Sequence, residues 1–525
     1  MQAEKDEKHW QLAVPVRQLE QKGRIVAKVA NKQIALFKTD AGIFAINNRC
    51  PHEGYPLLNG TLNDSCTLAC NWHGWTFNLE TGQAIQGRDA VKTYATKVEG
   101  GGVFIHLKPD CPEETKQAAI SEIGIAIAEH DYDRIARSLC RFTKAGGSYE
   151  TIAAETVNWS LDRLERGFGH GHAGLSDWIS LAGSDDDLRL IAFLEAIGHF
   201  SWDGIFSPAA PVPAGAVPWD ENTFLEAIDK MDQRHAMSIC MGAFEADLDF
   251  SKLKPLFQRH IFAHYAGFGH PAIYLMKAEC LISQLGASIE KTLCLQLTRY
   301  LCLAAREDQI PKFKVFRGLM NKPQKSLGPK LPFASELVHL TTRQLLPLVD
   351  TSSDSNIMKW ESLLAAAAVS MLMFDESLQH SIEQPIAKNV GWLDFTHAIT
   401  FAEAAHFHAS ESPSLWRSSL LQLACFVGRN SQFLSSSTFE QYSVRNAKKF
   451  LAQQKAALFD MDAGEYIFGV HRLKLVVATE SLLNIVSKNT AELLLAALNK
   501  FLSSRVRQRY PARTAFQARS TVLLE

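Results

Sequence analysis

The sequence predicts a multi-domain protein in which a small all-β domain precedes a large all-α domain. From Trp10 to Leu107, apolar and polar residues alternate in short runs such as QIALFKT and GIFAIN, separated by glycine, asparagine and aspartate. After the acidic turn that begins at Pro109, apolar residues instead recur at the 3.6-residue period of a helix, as in KWESLLAAAAVSMLMF. No convincing alternating run follows residue 115. We therefore expect domains at residues 8–108 and 115–525.

Composition and charge exclude several classes of protein. The 525 residues include 54 Lys+Arg and 56 Asp+Glu, a net charge of −2, which predicts no nucleic-acid partner. The longest apolar stretch, Leu363–Phe374, is too short for the roughly 20 residues that span a bilayer, so no membrane partner is expected. The charged N-terminus lacks the apolar core of a secretory signal, and the ten cysteines are scattered. These features predict a cytoplasmic protein.

Two short segments of the β region carry the strongest signal. Cys50-Pro-His52 and Cys70-Asn-Trp-His73-Gly-Trp each offer one thiolate and one imidazole. Two thiolates and two imidazoles suit either a tetrahedral zinc ion or a [2Fe-2S] cluster with mixed ligands. In a zinc finger the histidine pair follows the cysteine pair, whereas here each loop supplies one of each. The spacing therefore favours the cluster, with the cysteines on one iron and the histidines on the other.

The surroundings of these segments, CPHEGYPLLNGTLNDSCTLACNWHGWTFNLETGQAI, resemble the Rieske ferredoxin and oxygenase family. The resemblance covers residues 8–108. It implies that Cys50 and Cys70 bind the buried iron of a [2Fe-2S] cluster. It also implies that His52 and His73 bind the outer iron and face the electron-transfer partner.

Other residues of the same segments match supporting positions of that family. Gly54, Gly74 and Trp75 correspond to its loop residues, and we expect the glycines to allow close backbone packing over the cluster. The disulfide clamp and the Ser/Tyr pair of respiratory Rieske proteins are missing, with Trp72 and Phe77 in this region instead. With fewer hydrogen bonds to the sulfurs, we expect a reduction potential toward the lower end of the Rieske range.

A cluster of this type moves one electron, so the helical region should supply the acceptor. In Rieske ring-hydroxylating oxygenases the acceptor is an iron on an Asp/Glu-x-x-His-x(4–5)-His segment about 100 residues downstream. Here Asn158 to His172 lies at that distance. However, His170 and His172 are separated by only one residue and no carboxylate precedes His170 by three. A divergent ring-hydroxylating oxygenase therefore stays open as an alternative.

Four segments of the helical region, GHGHAGLSDWISLAG, FGHPAIYLMKA, DFTHAITFAEAA and VHRLKLVVA, resemble the questin oxidase-like family of helical non-haem iron oxygenases. The resemblance is scattered over residues 150–490. It implies an iron ion that is bound chiefly by histidines. The ligand candidates by motif are His172, His270, His397 and His471, with His264 next.

Oxygen ligands and a substrate pocket are less defined in the sequence. Some members of that family add a carboxylated lysine, and Lys474 lies one helical turn after His471, although the residue alone favours an ordinary surface lysine. Glu403 and Asp394 are alternative oxygen ligands, or else helix caps or solvated charges. We expect an aromatic pocket near four further residues, Trp178, Trp202, Phe262 and Tyr265. The segment from Ser207 to Trp219 contains four prolines and predicts a long loop, either a lid or a plain connector.

The predicted function is that of an oxidoreductase, a mono- or dioxygenase. Because no flavin or nicotinamide motif is visible, electrons should come from a separate reductase or ferredoxin. They would pass through the [2Fe-2S] cluster to a histidine-bound non-haem Fe(II), which activates O2 to oxidise a small organic substrate. An aromatic substrate is implied by the questin oxidase-like resemblance. The sequence is also compatible with a homo-oligomer. A non-enzymatic alternative is a Rieske redox carrier or sensor fused to a helical partner-binding scaffold.

Overall fold

A computed structural model describes residues 9–63, 66–206, 208–324, 328–436, 439–460, 465–507 and 509–523. The chain divides into two compact units, residues 1–115 and 116–525. Ser207, the first residue of the predicted proline-rich loop, lies outside the described residues. The predicted order, an all-β domain before a large all-α domain, is confirmed.

The first unit consists of short antiparallel strands and one helix, α1 (Val16–Lys22). Its strands are β1 (Trp10–Pro15), β2 (Arg24–Val29), β3 (Lys32–Thr39), β4 (Gly42–Asn47), β5 (Thr61–Leu62), β6 (Thr67–Ala69), β7 (Thr76–Asn78), β8 (Ala84–Gln86), β9 (Thr93–Tyr94), β10 (Thr96–Glu99) and β11 (Gly102–His106). They form three sheets with the orders β1-β11-β10, β2-β3-β4-β9 and β5-β6-β7-β8. Two-residue turns join β2 to β3 and β3 to β4, in keeping with the short alternating runs of the sequence.

Strand β3 separates two apolar cores. Its side chains alternate, so Ile34 and Leu36 face one core while Ala35 and Phe37 face the other. The second core also contains the side chains of Cys50, Leu57, Leu68, Cys70 and Phe77. The small sheet β5 to β8 thus packs with β3 around the two thiols, and the alternation of one strand fixes where the cysteines lie.

The rest of the described chain is helical. The helices are α2 (Pro112–Ala128), α3 (Tyr132–Lys144), α4 (Tyr149–Trp159), α5 (His170–Ala182), α6 (Asp186–Phe206), α7 (Glu221–Asp229), α8 (Gln233–Glu245), α9 (Phe250–Ala263), α10 (His270–Leu285), α11 (Glu290–Leu303), α12 (Lys314–Met320), α13 (Ala334–Leu337), α14 (Thr342–Thr351), α15 (Asn356–Met373), α16 (Leu393–Glu411), α17 (Trp416–Asn430), α18 (Ala447–Leu458), α19 (Tyr466–Leu483), α20 (Lys488–Ser503) and α21 (Pro511–Val522). Beyond residue 115 the described residues form isolated β-bridges but no strand. The β-rich cradle expected of a ring-hydroxylating oxygenase is therefore not seen in this part of the chain.

Four helices bring histidines of the sequence motifs to one place. Helix α10 packs against both α5 and α16, and α19 packs against α5 and α16 in turn. Helices α10, α16 and α19 each carry one histidine in their first two turns, and α5 carries two, His170 and His172. Among the described residues, no helix combines the length and the apolar character needed to cross a bilayer.

Candidate metal centres

The two Cys/His segments fold into loops with the same hydrogen bonds. Cys50 N–H donates to the Tyr55 carbonyl at 2.9 Å, and Cys70 N–H donates to the Trp75 carbonyl at 2.7 Å. The glycine of each loop then donates its N–H to the carbonyl of the same cysteine, at 2.8 Å in the first loop and 2.9 Å in the second. Each loop therefore closes on its own cysteine, and this closure brings the cysteine and histidine of one loop to one side.

The glycines of the two loops are required for backbone conformation. Gly54 and Gly74 have φ angles of 77° and 73°, in the left-handed region that favours glycine. A Cβ atom at either position would meet nothing within 4 Å. The φ angle alone therefore accounts for glycine at both positions, and close packing over the cluster stays a prediction.

The four predicted cluster ligands lie together. Cys50 and Cys70 are 3% and 2% exposed, and burial raises the pKa of the Cys50 thiol to about 11, with Cys70 adding to the rise. The rings of His52 and His73 have centroids 4.6 Å apart. His52 Nδ1 is buried and has no hydrogen-bond partner among the described residues. Two buried thiols beside two imidazoles, one with an orphaned nitrogen, fit a [2Fe-2S] cluster with mixed ligands.

Aromatic and acidic side chains surround this pair of histidines. Trp75 stacks on His52 with centroids 4.8 Å apart and an interplanar angle of 14°. Trp72 is 60% exposed, stacks on Tyr55, and donates its indole N–H to Glu53 at 3.1 Å. The histidine side of the site is thus bordered by an exposed indole and a carboxylate, while the thiols lie in the core.

Comparison with known proteins identifies the first unit. Residues 9–97 match the family model of the Rieske [2Fe-2S] domain. The 3-phenylpropionate/cinnamic acid dioxygenase ferredoxin subunit of Shigella flexneri serotype 5b is 41% identical over 76 residues, which cover 14% of this chain and 72% of that protein. The subunit of the same name from Escherichia coli strain K12 gives the same values. The chain belongs to the Rieske [2Fe-2S] family.

Solved structures of Rieske oxygenases match about a fifth of this chain. The terminal oxygenase of carbazole 1,9a-dioxygenase from Nocardioides aromaticivorans IC177 is 22% identical over 19% of this chain and 31% of that chain, with a TM-score of 0.18. The match thus spans about a third of the oxygenase. The predicted Rieske resemblance is confirmed, whereas the resemblance of the helical unit to the questin oxidase-like family stays a prediction.

In the helical unit, four histidines from four helices converge. His170 and His270 begin α5 and α10, and His397 and His471 lie in the first turns of α16 and α19. One ring nitrogen each of His170, His270 and His471 lies within 4.8 Å of the others. His397 Nε2 lies 3.0 Å from His270 Nε2 and 3.3 Å from His471 Nε2.

Hydrogen bonds to backbone carbonyls fix the tautomers of three of these rings. His270 Nδ1 donates to the Gly267 carbonyl at 2.7 Å, and His471 Nδ1 donates to the Ile467 carbonyl at 2.6 Å. His397 Nδ1 makes the same bond to the Leu393 carbonyl. Because a carbonyl oxygen only accepts, each Nδ1 carries the hydrogen and each Nε2 of the neutral ring is left with a lone pair.

Among the described residues, no N–H or O–H group donates to the converging Nε2 lone pairs. His170 Nε2 is also buried and has no hydrogen-bond partner among the described residues. Burial lowers the pKa of His270 to about 3 and places the pKa values of His170, His397 and His471 well below the usual range. The Lys474 charge lowers all four pKa values further, and neighbouring imidazoles add to the effect for His170, His397 and His471. A proton shared between two of these ring nitrogens is therefore disfavoured. A first-row transition metal, whose bonds to imidazole are about 2.1 Å long, brings ligand nitrogens about 3 Å apart and fits the arrangement.

Buried charged groups lie around this centre. Lys474 Nζ is buried without a hydrogen-bond partner among the described residues, and burial lowers the pKa of Lys474 to about 8. The Asp203 carboxylate accepts the Gly171 N–H at 2.8 Å, and burial raises the pKa of Asp203 to about 7. Lys277 pairs with Asp177 at 2.6 Å. Lys474 is therefore embedded in the protein, unlike an ordinary surface lysine.

Two of the predicted histidine ligands lie outside the four-histidine centre. His172 Nδ1 accepts the Gly169 N–H at 3.2 Å, and His172 Nε2 lies 3.1 Å from Ser160 Oγ, so both ring nitrogens are occupied. His264 lies between Asp229 Oδ1 at 3.2 Å and the Arg306 guanidinium at 2.6 Å. His260 shares Asp229 at 3.2 Å, and hydrogen bonds account for this second cluster without a metal.

The remaining predicted residues have other contacts. Asp394 accepts the Gly391 N–H at 2.7 Å and pairs with Arg429 at 2.6 Å, so protein groups already engage its carboxylate. Glu403 is not among the converging ligand atoms. Trp178 donates its indole N–H to His199, and the Phe262 ring packs against His408. The aromatic rings that contact the centre are instead those of Phe268 and Tyr274.

Proposed function

We propose that this chain is a Rieske-dependent non-haem iron oxygenase. Electrons from a separate reductase or ferredoxin enter the [2Fe-2S] cluster and pass to an iron ion bound by His170, His270, His397 and His471. When bound, this Fe(II) would supply O2 activation for the oxidation of an organic substrate. His170 replaces His172 among the ligands predicted from sequence, and His264 is left out.

One observation supports this proposal most directly. The Nε2 lone pairs of three buried histidines face one another at 3.0 and 3.3 Å, and each Nδ1 is already used by a backbone carbonyl. In a metalloprotein, the ring nitrogen opposite the metal commonly donates to a carbonyl, which fixes the tautomer and raises ligand basicity. Without a cation, this arrangement leaves buried acceptors unsatisfied, at a cost of about 1–3 kcal/mol each.

The residues around the iron would tune its ligand set and its access to water. A neutral lysine amine reacts with CO2 to give a carbamate and a proton, and the unpartnered Lys474 amine is suited to this reaction. The carbamate would add an oxygen ligand beside the imidazoles. Phe268 and Tyr274 pack against His397 and His270, where their rings exclude water from the nitrogen ligands.

A second candidate function is supported by the ferredoxin relatives. Curated relatives of this chain include dioxygenase ferredoxin subunits, and the match covers 14% of this chain. Under this alternative the Rieske domain is a carrier or sensor, and the helical unit binds a partner protein. The two candidates differ in how much iron the chain holds.

Iron and acid-labile sulfide, counted with zinc in anaerobically purified full-length protein, separate these candidates. The oxygenase proposal predicts about three iron per two sulfide in the wild type. His170→Gln and His397→Gln should each lower the ratio to about two per two, because each removes a ligand. The matched control His172→Gln, two residues from His170, should keep the third iron. Two iron per two sulfide in the wild type, reconstituted with Fe(II), would instead favour the carrier.

A further inference from the structure

The turn that precedes His270 has a non-glycine residue in the left-handed region. Phe268 has φ 56° and ψ 33°, a conformation that an aromatic residue adopts only at a cost in free energy. The turn Gly267–Gly269 leads directly into helix α10, whose first residue is His270. Such strain persists only where surrounding contacts maintain it.

A carboxylate from a distant segment maintains this conformation. The Phe268 N–H donates to both oxygens of the Glu307 side chain, at 3.1 and 3.2 Å. Beside this bond, the Gly267 N–H donates to the Ala305 carbonyl at 2.7 Å. The segment after helix α11 is thereby attached to the turn at two adjacent residues, one through its backbone and one through the Glu307 side chain.

The Gly267–Gly269 turn also contacts two of the four converging histidines. The Gly267 carbonyl accepts the His270 Nδ1–H at 2.7 Å, so the backbone of the turn sets the orientation of that ring. The Phe268 ring packs edge-on against His397, with centroids 4.8 Å apart. Phe268 also contacts the Phe426 ring, and the Arg429 guanidinium lies 4.7 Å from the centroid of the Phe268 ring. A change in the φ angle of Phe268 would therefore move both its ring and the carbonyl.

We propose that Glu307 is a positioning residue for the four-histidine centre. By accepting the Phe268 N–H, Glu307 stabilises the left-handed turn and so orients His270 through the Gly267 carbonyl and His397 through the phenyl ring. The inference rests on the proposed metal-binding function. It adds a residue that is remote in sequence from every ligand and that touches none of them.

A double-mutant cycle on the full-length protein tests this role. The probe is Co(II). Its dissociation constant is measured by equilibrium dialysis with full-length protein from which iron has been removed at the helical centre, while the Rieske cluster is kept oxidised. The oxidised cluster is silent in electron paramagnetic resonance, so the Co(II) signal reports the histidine centre. We expect Glu307→Ala to weaken Co(II) binding by about 10–100-fold and to alter that signal, as loss of a ligand-orienting partner does in other metal sites.

The second arm of the cycle identifies the route of the effect. Glycine adopts a positive φ without strain, so in a Phe268→Gly background the turn no longer needs the carboxylate. Glu307→Ala should then change Co(II) affinity by less than about twofold. The matched control Glu440→Ala, at an exposed glutamate, should bind Co(II) as the wild type does. Should Glu307→Ala fail to fold, the comparison of Phe268→Gly with its double variant still carries the test.

Each remaining outcome has a defined meaning. Wild-type affinity in Glu307→Ala, or an equal loss in both backgrounds, would overturn the positioning role while leaving the metal centre in place. If the wild type itself binds no Co(II) at the helical centre, the proposed function fails and this inference fails with it.

Discussion

Hydrogen bonds to the ring nitrogens separate ligand candidates from structural histidines in the helical unit. His172 uses both nitrogens for protein partners, so it can bind no metal without losing one of them. In His270 and His471, Nδ1 donates to a backbone carbonyl. The Nε2 atoms of both rings face His397 Nε2. Buried histidines of one unit are thus distinguished by the protein groups that contact their two ring nitrogens.

Gly87 allows the indole of Trp75 to lie flat against His52. Its φ is 114°, and a Cβ atom there would lie 2.6 Å from the Trp75 ring. Because Trp75 stacks on His52, we expect Gly87→Ala to displace a cluster ligand and to lower acid-labile sulfide per chain by roughly half or more. The matched control is Gly101→Ala, which also has a positive φ but meets no atom within 4 Å. Equal sulfide contents in the two variants would contradict this argument.

From the sequence alone it was easier to predict that the Cys/His residues of the two loops lie together than to predict which histidines of the helical unit converge. Cys50, His52, Cys70 and His73 lie on two short loops, so their spacing carries the chemistry. His170 and His172 are two residues apart on helix α5, where buried side chains surround the helix on nearly all sides. The hydrophobic pattern therefore does not show which face of this helix points toward the centre. Only tertiary contacts distinguish the two histidines.

At the scale of elements, one buried arginine determines the state of the proline-rich loop. The Arg299 guanidinium on helix α11 donates to four backbone carbonyls from two segments, those of Leu161, Leu164, Ala210 and Pro211. Arg299 is fully buried. The described part of the loop, from residue 208 to Trp219, is thereby attached to the segment that precedes α5. These bonds favour the connector over the lid.

Loss of this arginine should destabilise the helical unit. Arg299→Ala leaves several buried carbonyls without a donor, so we expect the free energy of unfolding to fall by about 3 kcal/mol or more. Urea denaturation followed by far-UV circular dichroism measures the change. The control is Arg163→Ala, whose side chain is half exposed and should cost less than about 1 kcal/mol. Similar losses in both variants would show that the carbonyl contacts contribute little.

Element boundaries were predictable where the hydrophobic period changes, but helix contacts were not. The change near Pro109 marks the end of the β domain because alternation needs one exposed face on each strand. In helices such as α16 and α19, apolar residues occupy most of the circumference, so the sequence identifies a helix without indicating its neighbours. The convergence of α5, α10, α16 and α19 depends on tertiary packing throughout the helical unit, which the sequence pattern does not show.

At the scale of the whole molecule, many neutral imidazoles are buried in one unit. Burial lowers the pKa of His172 and His199 to about 3 and that of His408 to about 4. In the unfolded chain the same side chains titrate near pH 6.5. Between about pH 6.5 and pH 4 the unfolded state therefore binds more protons than the folded state, and stability is lost as the pH falls.

We accordingly expect the helical unit to be less stable at pH 5 than at pH 7.5. Each such histidine contributes up to about 1.4 kcal/mol per pH unit. Asp203 and Glu307 act in the opposite direction, because burial raises the pKa of each to about 7, but the histidines outnumber them. Urea denaturation at the two pH values measures the difference. Unchanged or greater stability at pH 5 would mean that the buried carboxyl groups dominate.

The two centres differ in how far apart their ligands lie along the chain, and this sets an order for biosynthesis. The ligands from Cys50 to His73 leave the ribosome almost together, early in translation. The histidine centre draws on helices from α5 to α19, so it cannot close until most of the polypeptide has been made. A chain truncated before α19 would thus keep all four residues of the Cys/His loops but lack His471 of the proposed second centre.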